Sequence, residues 1–246
     1  MLRIIAGILL LLPVLVNAEE WNFEVQPYLM ATTISGENDI GRVEGAEVEM
    51  DMGDILEKLE IAGMIHGEVY NSGGWGVALD YAFMELGDDI SGPREGVIAG
   101  KMRQGILQVD LFKRQAISNG TLDYIVGIRW WDIDVEASFD PAVLPGAVRT
   151  ELEEDWVDVF IGARWLVPIN DQWVFMLRAD VGGFDLESDF TSLIEVGARY
   201  NINDNMLINM SYQGLWVDYD SGSSGPGHYA NDTVTYGPKL GFTYQF

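Results

Sequence analysis

Residues Thr233 to Phe246 read TVTYGPKLGFTYQF, and this stretch decides the fold. Val234, Tyr236, Pro238, Leu240, Phe242, Tyr244 and Phe246 alternate with Thr235, Gly237, Lys239, Gly241, Thr243 and Gln245. A period of two places one apolar and one polar face on a β-strand. The strand is at or above the roughly 9–11 residues that a tilted strand needs to cross a bilayer. It predicts a transmembrane barrel if the pattern recurs upstream.

It does recur. Working outward, alternation marks strands over Trp21–Ser35, Ile61–Asn71, Trp75–Phe83, Lys101–Ile117, Leu122–Phe139, Trp156–Val167, Gln172–Leu186, Phe190–Ile202 and Met206–Asp220. The Gly-rich Ile61–Asn71 is the weakest of them. Short turns such as Ser118-Asn119-Gly120 alternate with longer acidic or Gly/Ser-rich loops at Gly36–Glu60, Gly87–Ile98, Asp140–Glu154 and Ser221–Asp232. This arrangement of connections is that of outer-membrane barrels, with short turns on the periplasmic side. The expected fold is therefore all-β: an antiparallel up-and-down barrel of about ten strands, with eight or twelve as alternatives. The first long loop carries a short strand-like piece near Val43–Met50 and an expected short helix, Asp54–Glu60, with Ile55, Leu56 and Leu59 on one side, either as a plug over the barrel mouth or as an ordinary surface helix.

The N-terminus carries Arg3, an apolar run from Ile4 to Val16 and then Asn17-Ala18 before two glutamates. The run is too short to span as a helix and reads as a cleaved signal peptide over 1–18, leaving 19–246 as the barrel. Removing Arg3 from the 14 basic residues leaves 13 against 39 acidic ones, which argues against a nucleic-acid partner. The chain has no cysteine, so no disulfide can form. Its 8 Trp, 10 Tyr and 10 Phe suit aromatic girdles at two water interfaces.

A basic side chain on the lipid face at mid-bilayer costs roughly 2–4 kcal/mol, so faces carrying mid-strand charge must point inward. This assigns to the lumen Glu24, Glu68, Asp80, Asp110, Asp123, Asp158, Asp180 and Glu195, with Arg114, Arg129, Arg164, Arg178, Arg199 and Lys239. Lys101, Arg103 and Lys113 fall on the outer face near strand ends, where their stems can snorkel. A Gly-x-Arg-aromatic unit recurs at Gly127–Trp130, Gly162–Trp165 and Gly197–Tyr200. It predicts an inward guanidinium beside an outward aromatic, with the lumen filled by Arg–carboxylate pairs or lined by an arginine ladder.

Trp21-Asn22-Phe23, Pro27-Tyr28-Leu29, Asp54-Ile55-Leu56, the Gly-x-Arg-aromatic repeat and the terminal Phe246 together resemble the proteobacterial outer-membrane β-barrel proteins, a family of mostly uncharacterised members. The resemblance implies the outer membrane of a Gram-negative bacterium, with lipid and lipopolysaccharide as surroundings. It also implies that Tyr244 and Phe246 form the signal read by the barrel-assembly machinery. It supplies no ligand and no cofactor. The expected role is structural or that of a narrow, porin-like channel; the alternatives are a lipid- or peptide-modifying enzyme and a surface-binding module.

Outer-membrane enzymes use a His with a carboxylate or Ser, which directs attention to His66 and His228. His66 and Glu68 share one strand face, but no nucleophile stands at a diagnostic spacing, so no catalytic residue is assigned. His228 is expected as a solvated loop residue. The acids Glu44, Glu47, Glu49, Asp51 and Asp54 in one loop and Glu151, Glu153, Glu154 and Asp155 in another form no twelve-residue calcium loop, and no metal site is assigned.

Overall fold

The computed structural model describes residues 21–41, 43–87, 98–139 and 148–246. The expected signal peptide and the connections at 88–97 and 140–147 lie outside them. β1 (Trp21–Met30) and β2 (Thr33–Ile40) form one strand interrupted at Ala31 and Thr32. β3 (Val43–Met50) and β4 (Leu59–Asn71) form the second, interrupted by α1 (Met52–Lys58). The remaining eight are β5 (Trp75–Leu86), β6 (Ile98–Ile117), β7 (Gly120–Phe139), β8 (Val148–Pro168), β9 (Trp173–Gly183), β10 (Ser188–Asn203), β11 (Met206–Asp220) and β12 (Tyr229–Gln245). Each pairs antiparallel with its neighbours, and β12 closes the circle against β1 and β2, with Leu29 opposite Leu240 and Ser35 opposite Val234. The result is a ten-strand barrel without a free edge along its closing seam.

Three stretches expected as loops are sheet. Within Gly36–Glu60 the short helix is present and the strand-like piece Val43–Met50 is strand: β2 continues to Ile40, β3 returns beside it with Glu37 opposite Glu47, and α1 interrupts the second strand. Glu151, Glu153 and Glu154 lie in β8 opposite Glu136, Asp134 and Ile133. Tyr229–Asp232 begins β12. Charged residues in these segments look like loop in sequence, yet a strand that rises beyond an apolar band has water on its outer face and tolerates them there. The Gly-rich Ile61–Asn71 is strand, held between β1 and β5.

α1 starts where Asp51 accepts a hydrogen bond from the Asp54 amide at 3.0 Å and Asp54 accepts one from the Asp51 amide at 3.2 Å. This reciprocal cap satisfies two amides that a helix start leaves without partners. Ile55 packs in a buried cluster with Ile34, Met50, Met84 and Leu86, whereas Leu56 is 61% exposed and points away. The three-residue apolar side expected for a plug is therefore split.

Alternation sorts the wall into two faces. Outward stand Leu29, Val77, Val126, Ile161, Ile194 and Leu240, all exposed. Inward stand the charged and aromatic residues described below. The turn Ser118–Asn119 joins β6 to β7 directly, with Ile117 opposite Gly120. The β9–β10 connection, short for the end of the barrel it occupies, turns through Gly183, Phe184 and Asp185 at φ 86°, 57° and 55°. Left-handed backbone at two non-glycine residues is uncommon.

Candidate functional site

The site to consider is the lumen, built in layers from the short-turn end upward. The lowest layer is an ion network. Glu68 accepts from Arg114 at 2.8 Å and from Arg164 at 2.6 Å, and Asp123 accepts from the same two guanidiniums at 2.8 and 2.7 Å. The side chains of Glu68 and Asp123 are 0% exposed and that of Arg164 is 5% exposed. Such charges are tolerable when dry only because each finds opposite charge and hydrogen bonds. Arg199 stands beside this floor, 3.5 Å from Glu24. Phe112 and Phe160 lie across it, with Arg164 over the Phe112 ring and Arg129 over the Phe160 ring. Gly127 leaves the space the Phe160 ring occupies, which is the reason for the glycine in the first copy of the repeat.

Above this, Arg129 is fully buried, donating to Gln108, Thr191 and Asp180. Arg178 pairs with Asp110 at 2.8 Å and Asp180 at 3.3 Å. Asp158 accepts from Trp131, Trp156 and Ser188. On the opposite wall Tyr28 donates to Asp80 at 2.6 Å, His66 Nδ1 lies 3.1 Å from Asp80, and Lys239 lies 3.6 Å from Glu195. Each residue assigned to the lumen from sequence thus has an inward partner, Lys239 also donating to Gln213 at 3.3 Å and Arg199 making only the long contact with Glu24.

The uppermost layer is apolar and was not anticipated. Trp156 stacks on Tyr219 at 3.9 Å between ring centroids and on Trp131 at 5.4 Å. Tyr229, Val135, Leu152 and Val217 complete a buried cluster. In sequence the four aromatics sit one each on β7, β8, β11 and β12, and strand register, such as Trp131 opposite Trp156, is what assembles them. Burial first, then the neighbouring Asp155, raises the pKa of Glu154 at this end, although its Tyr219 hydrogen bond acts the other way.

Between floor and aromatic layer, on the side of β1, β4 and β5, lies a cavity bordered by Tyr28, Met30, Met64, Asp80, Phe83 and Met84. Five basic side chains (Arg129, Arg164, Arg178, Arg199, Lys239) reach its surface, against two acidic ones (Asp80, Glu195). The Nε atoms of Arg178 and Arg199 are buried with no hydrogen-bond partner among the described residues.

At the outer rim His228 is not solvated as expected. Its side chain is 16% exposed, with Nε2 3.2 Å from Asp39 and Nδ1 3.7 Å from Asp220, tying β2, β11 and β12. On the outer face Lys101 pairs with Glu60 and Glu85, and Arg103 with Asp132 and Asp134. No group of three or more metal-ligating side chains occurs among the described residues.

No known protein family and no curated protein sequence matches the chain. Among solved structures, the outer membrane protease OmpT of Escherichia coli is similar over 95% of this chain and 99% of its own, at 10% identity and a TM-score of 0.56. The translocator domain of the autotransporter NalP from Neisseria meningitidis is similar over 94% and 90%, at 13% identity and 0.42. The attachment invasion locus protein Ail of Yersinia pestis is similar over 93% and 99%, at 12% identity and 0.36. The fold is thus that of a bacterial outer-membrane β-barrel. At 10% identity the likeness to OmpT is one of architecture alone.

Proposed function

We propose that the chain is an integral barrel of a Gram-negative outer membrane whose lumen is closed at its periplasmic end and serves as a holding site. The apolar outward face supports the membrane placement, since hydrocarbon tolerates only a closed sheet with its backbone paired. Lipid and lipopolysaccharide are then its surroundings, and Tyr244 and Phe246, packed edge to face at 4.8 Å on the last strand, present the assembly signal. The single observation that carries the closed reading is the buried network of Arg164, Arg114, Glu68 and Asp123, which occupies the floor where a narrow channel would need water. Lumen charges act here as cross-wall ties. Planar-bilayer recording of the purified protein tests this: the expected trace is silent, and steady ohmic openings overturn the closed lumen in favour of a porin-like role.

A second reading, an enzyme at the outer rim, rests on His228 held against Asp39, which is a base with an orienting carboxylate. Peptide hydrolysis by the purified protein that disappears in His228→Ala supports it; absence of hydrolysis by the folded wild type removes it.

A further inference from the structure

The wall between β1 and β4 is open over part of its height. Their ladder runs from Trp21 opposite Asn71 to Pro27 opposite Ile65 and stops. It resumes only where Ile34 faces Met50. Extending the lower ladder would set Ile34 opposite Lys58, so eight positions leave the sheet as Asp51 and α1. In between, residues 28–33 pair only with the closing strand, and residues 59–64 only with β5. Tyr28 lies seven residues beyond Trp21, or about 18 Å along the barrel axis at ~3.3 Å per residue and a tilt of about 40°. The gap therefore opens in the upper part of an apolar band about 25 Å tall, on the long-loop side.

Its lips are apolar. Leu29 is 71% and Ile61 55% exposed on the outward side, and Met30 and Met64 face in. Phe83 belongs to the outward register of β5, yet it borders the lumenal cavity, because its partner Gly63 has no side chain to close the wall. The cavity thus reaches the outer face at this point. Its far side presents basic groups in excess, and two buried guanidinium Nε atoms there lack partners. Hydrocarbon alone cannot satisfy those donors, whereas an anionic head can.

We propose that this gap admits a single-chain amphiphile with a carboxylate or phosphate head, which lodges the head against Arg199 and Arg178 and leaves its tail along Met30, Met64 and Phe83 in the gap. The proposal rests on the closed-lumen reading, to which it adds a ligand class and a route. Head and tail requirements meet at one place: a donor-rich interior joined sideways to the apolar band.

The test uses the full mature chain in phosphatidylcholine vesicles with cis-parinaric acid as the fluorescent probe. Saturable binding is expected, displaced by oleate or by oleoyl lysophosphatidic acid about tenfold better than by oleyl alcohol, and whichever of the two anions is stronger identifies the head. Arg199→Gln should weaken the anions about tenfold and leave the alcohol unchanged. For the route, Leu29→Cys with Gly63→Cys places a cross-link where the ladder would have continued, in a chain with no other cysteine. Oxidation should slow uptake at least about tenfold, and reduction should restore it. Gly63→Trp blocks the gap without a cross-link, and nothing lies within 4 Å of the added Cβ, so folding is spared. Absence of saturable binding by folded, non-conducting protein overturns the ligand. Unchanged uptake by both the oxidised pair and Gly63→Trp overturns the route. A conducting wild type overturns the closed lumen itself and is distinguishable from either.

Discussion

The wall from β6 to β8 and the wall from β1 to β4 are written in the same alternating code but differ in continuity. β6 and β7 pair from Ile98 opposite Phe139 to Ile117 opposite Gly120 without a register shift, and β7 and β8 pair over a similar length. β1 and β4 share only seven paired positions before the second strand leaves the sheet. The difference lies in what the side chains of each wall supply. The long wall turns Asp123, Arg129, Trp131, Ile133, Asp158 and Trp156 into one packed interior, in which every layer fastens the next. The short wall presents Gly63 and Gly67 on its outward register and an acidic run ending in Asp51, whose reciprocal cap with Asp54 favours a helix start over continued strand. The ladder between β1 and β4 thus stops where a capped helix start takes residues out of the sheet, a signal the long wall lacks.

The largest way to break this contrast is at the floor. Arg164→Met leaves Glu68 and Asp123 short of a buried partner and should cost about 3–5 kcal/mol, read from urea unfolding of vesicle-embedded protein. An unchanged midpoint would show that the network is not dry. Next, Trp156→Ala removes the centre of the aromatic stack and should cost about 3 kcal/mol on the same measurement. On the short wall the effect should be smaller: Ile55→Ala should cost about 2 kcal/mol, with faster hydrogen exchange confined to α1 and the ends of β3 and β4. Leu56→Ala, 61% exposed, should cost almost nothing, and equal effects of the two would mean that the helix is buried on both sides.

The smallest effect concerns pH at the long-loop end of the continuous wall. Burial first, and the neighbouring Asp155 next, raise Glu154 above its ordinary 4.5. An acid with a raised folded pKa penalises the fold while ionised, and the penalty disappears as pH falls through the raised value towards the unfolded one. Mild acid should therefore raise the urea midpoint slightly, sharpening the contrast between walls. A midpoint that falls across this window would mean that the paired carboxylates of the floor dominate.

Much of the barrel was legible in the primary structure. The closing strand reads as it lies, with Leu240, Phe242 and Tyr244 outward and Thr243 buried inward. Charge in mid-strand identified the inward positions of Arg129, Arg164, Arg178 and Arg199, because side-chain direction in a strand is a local, period-two property. The aromatic layer was not legible. Trp131, Trp156, Tyr219 and Tyr229 meet only through the register of strands separated by tens of residues, and nothing in their local sequence distinguishes them from girdle aromatics. His228 looked like a loop residue because its partner Asp39 lies at the other end of the chain. The acidic start of β8 looked like a loop because composition reports solvent exposure, and a strand extending beyond the apolar band is exposed too, whereas alternation marked the β3 segment as strand-like without saying what it pairs with.

The sequence by itself determined that this chain forms an up-and-down barrel of about ten strands, which face is charged, and where the tight turns fall, since each follows from alternation and turn chemistry within a few residues. Only the tertiary structure decided which arginine meets which carboxylate, that Arg114, Arg164, Glu68 and Asp123 form one buried network, and that the β1–β4 ladder stops at Pro27 opposite Ile65. Those outcomes depend on register between strands, and register is set by the simultaneous fit of inward side chains around the whole circumference.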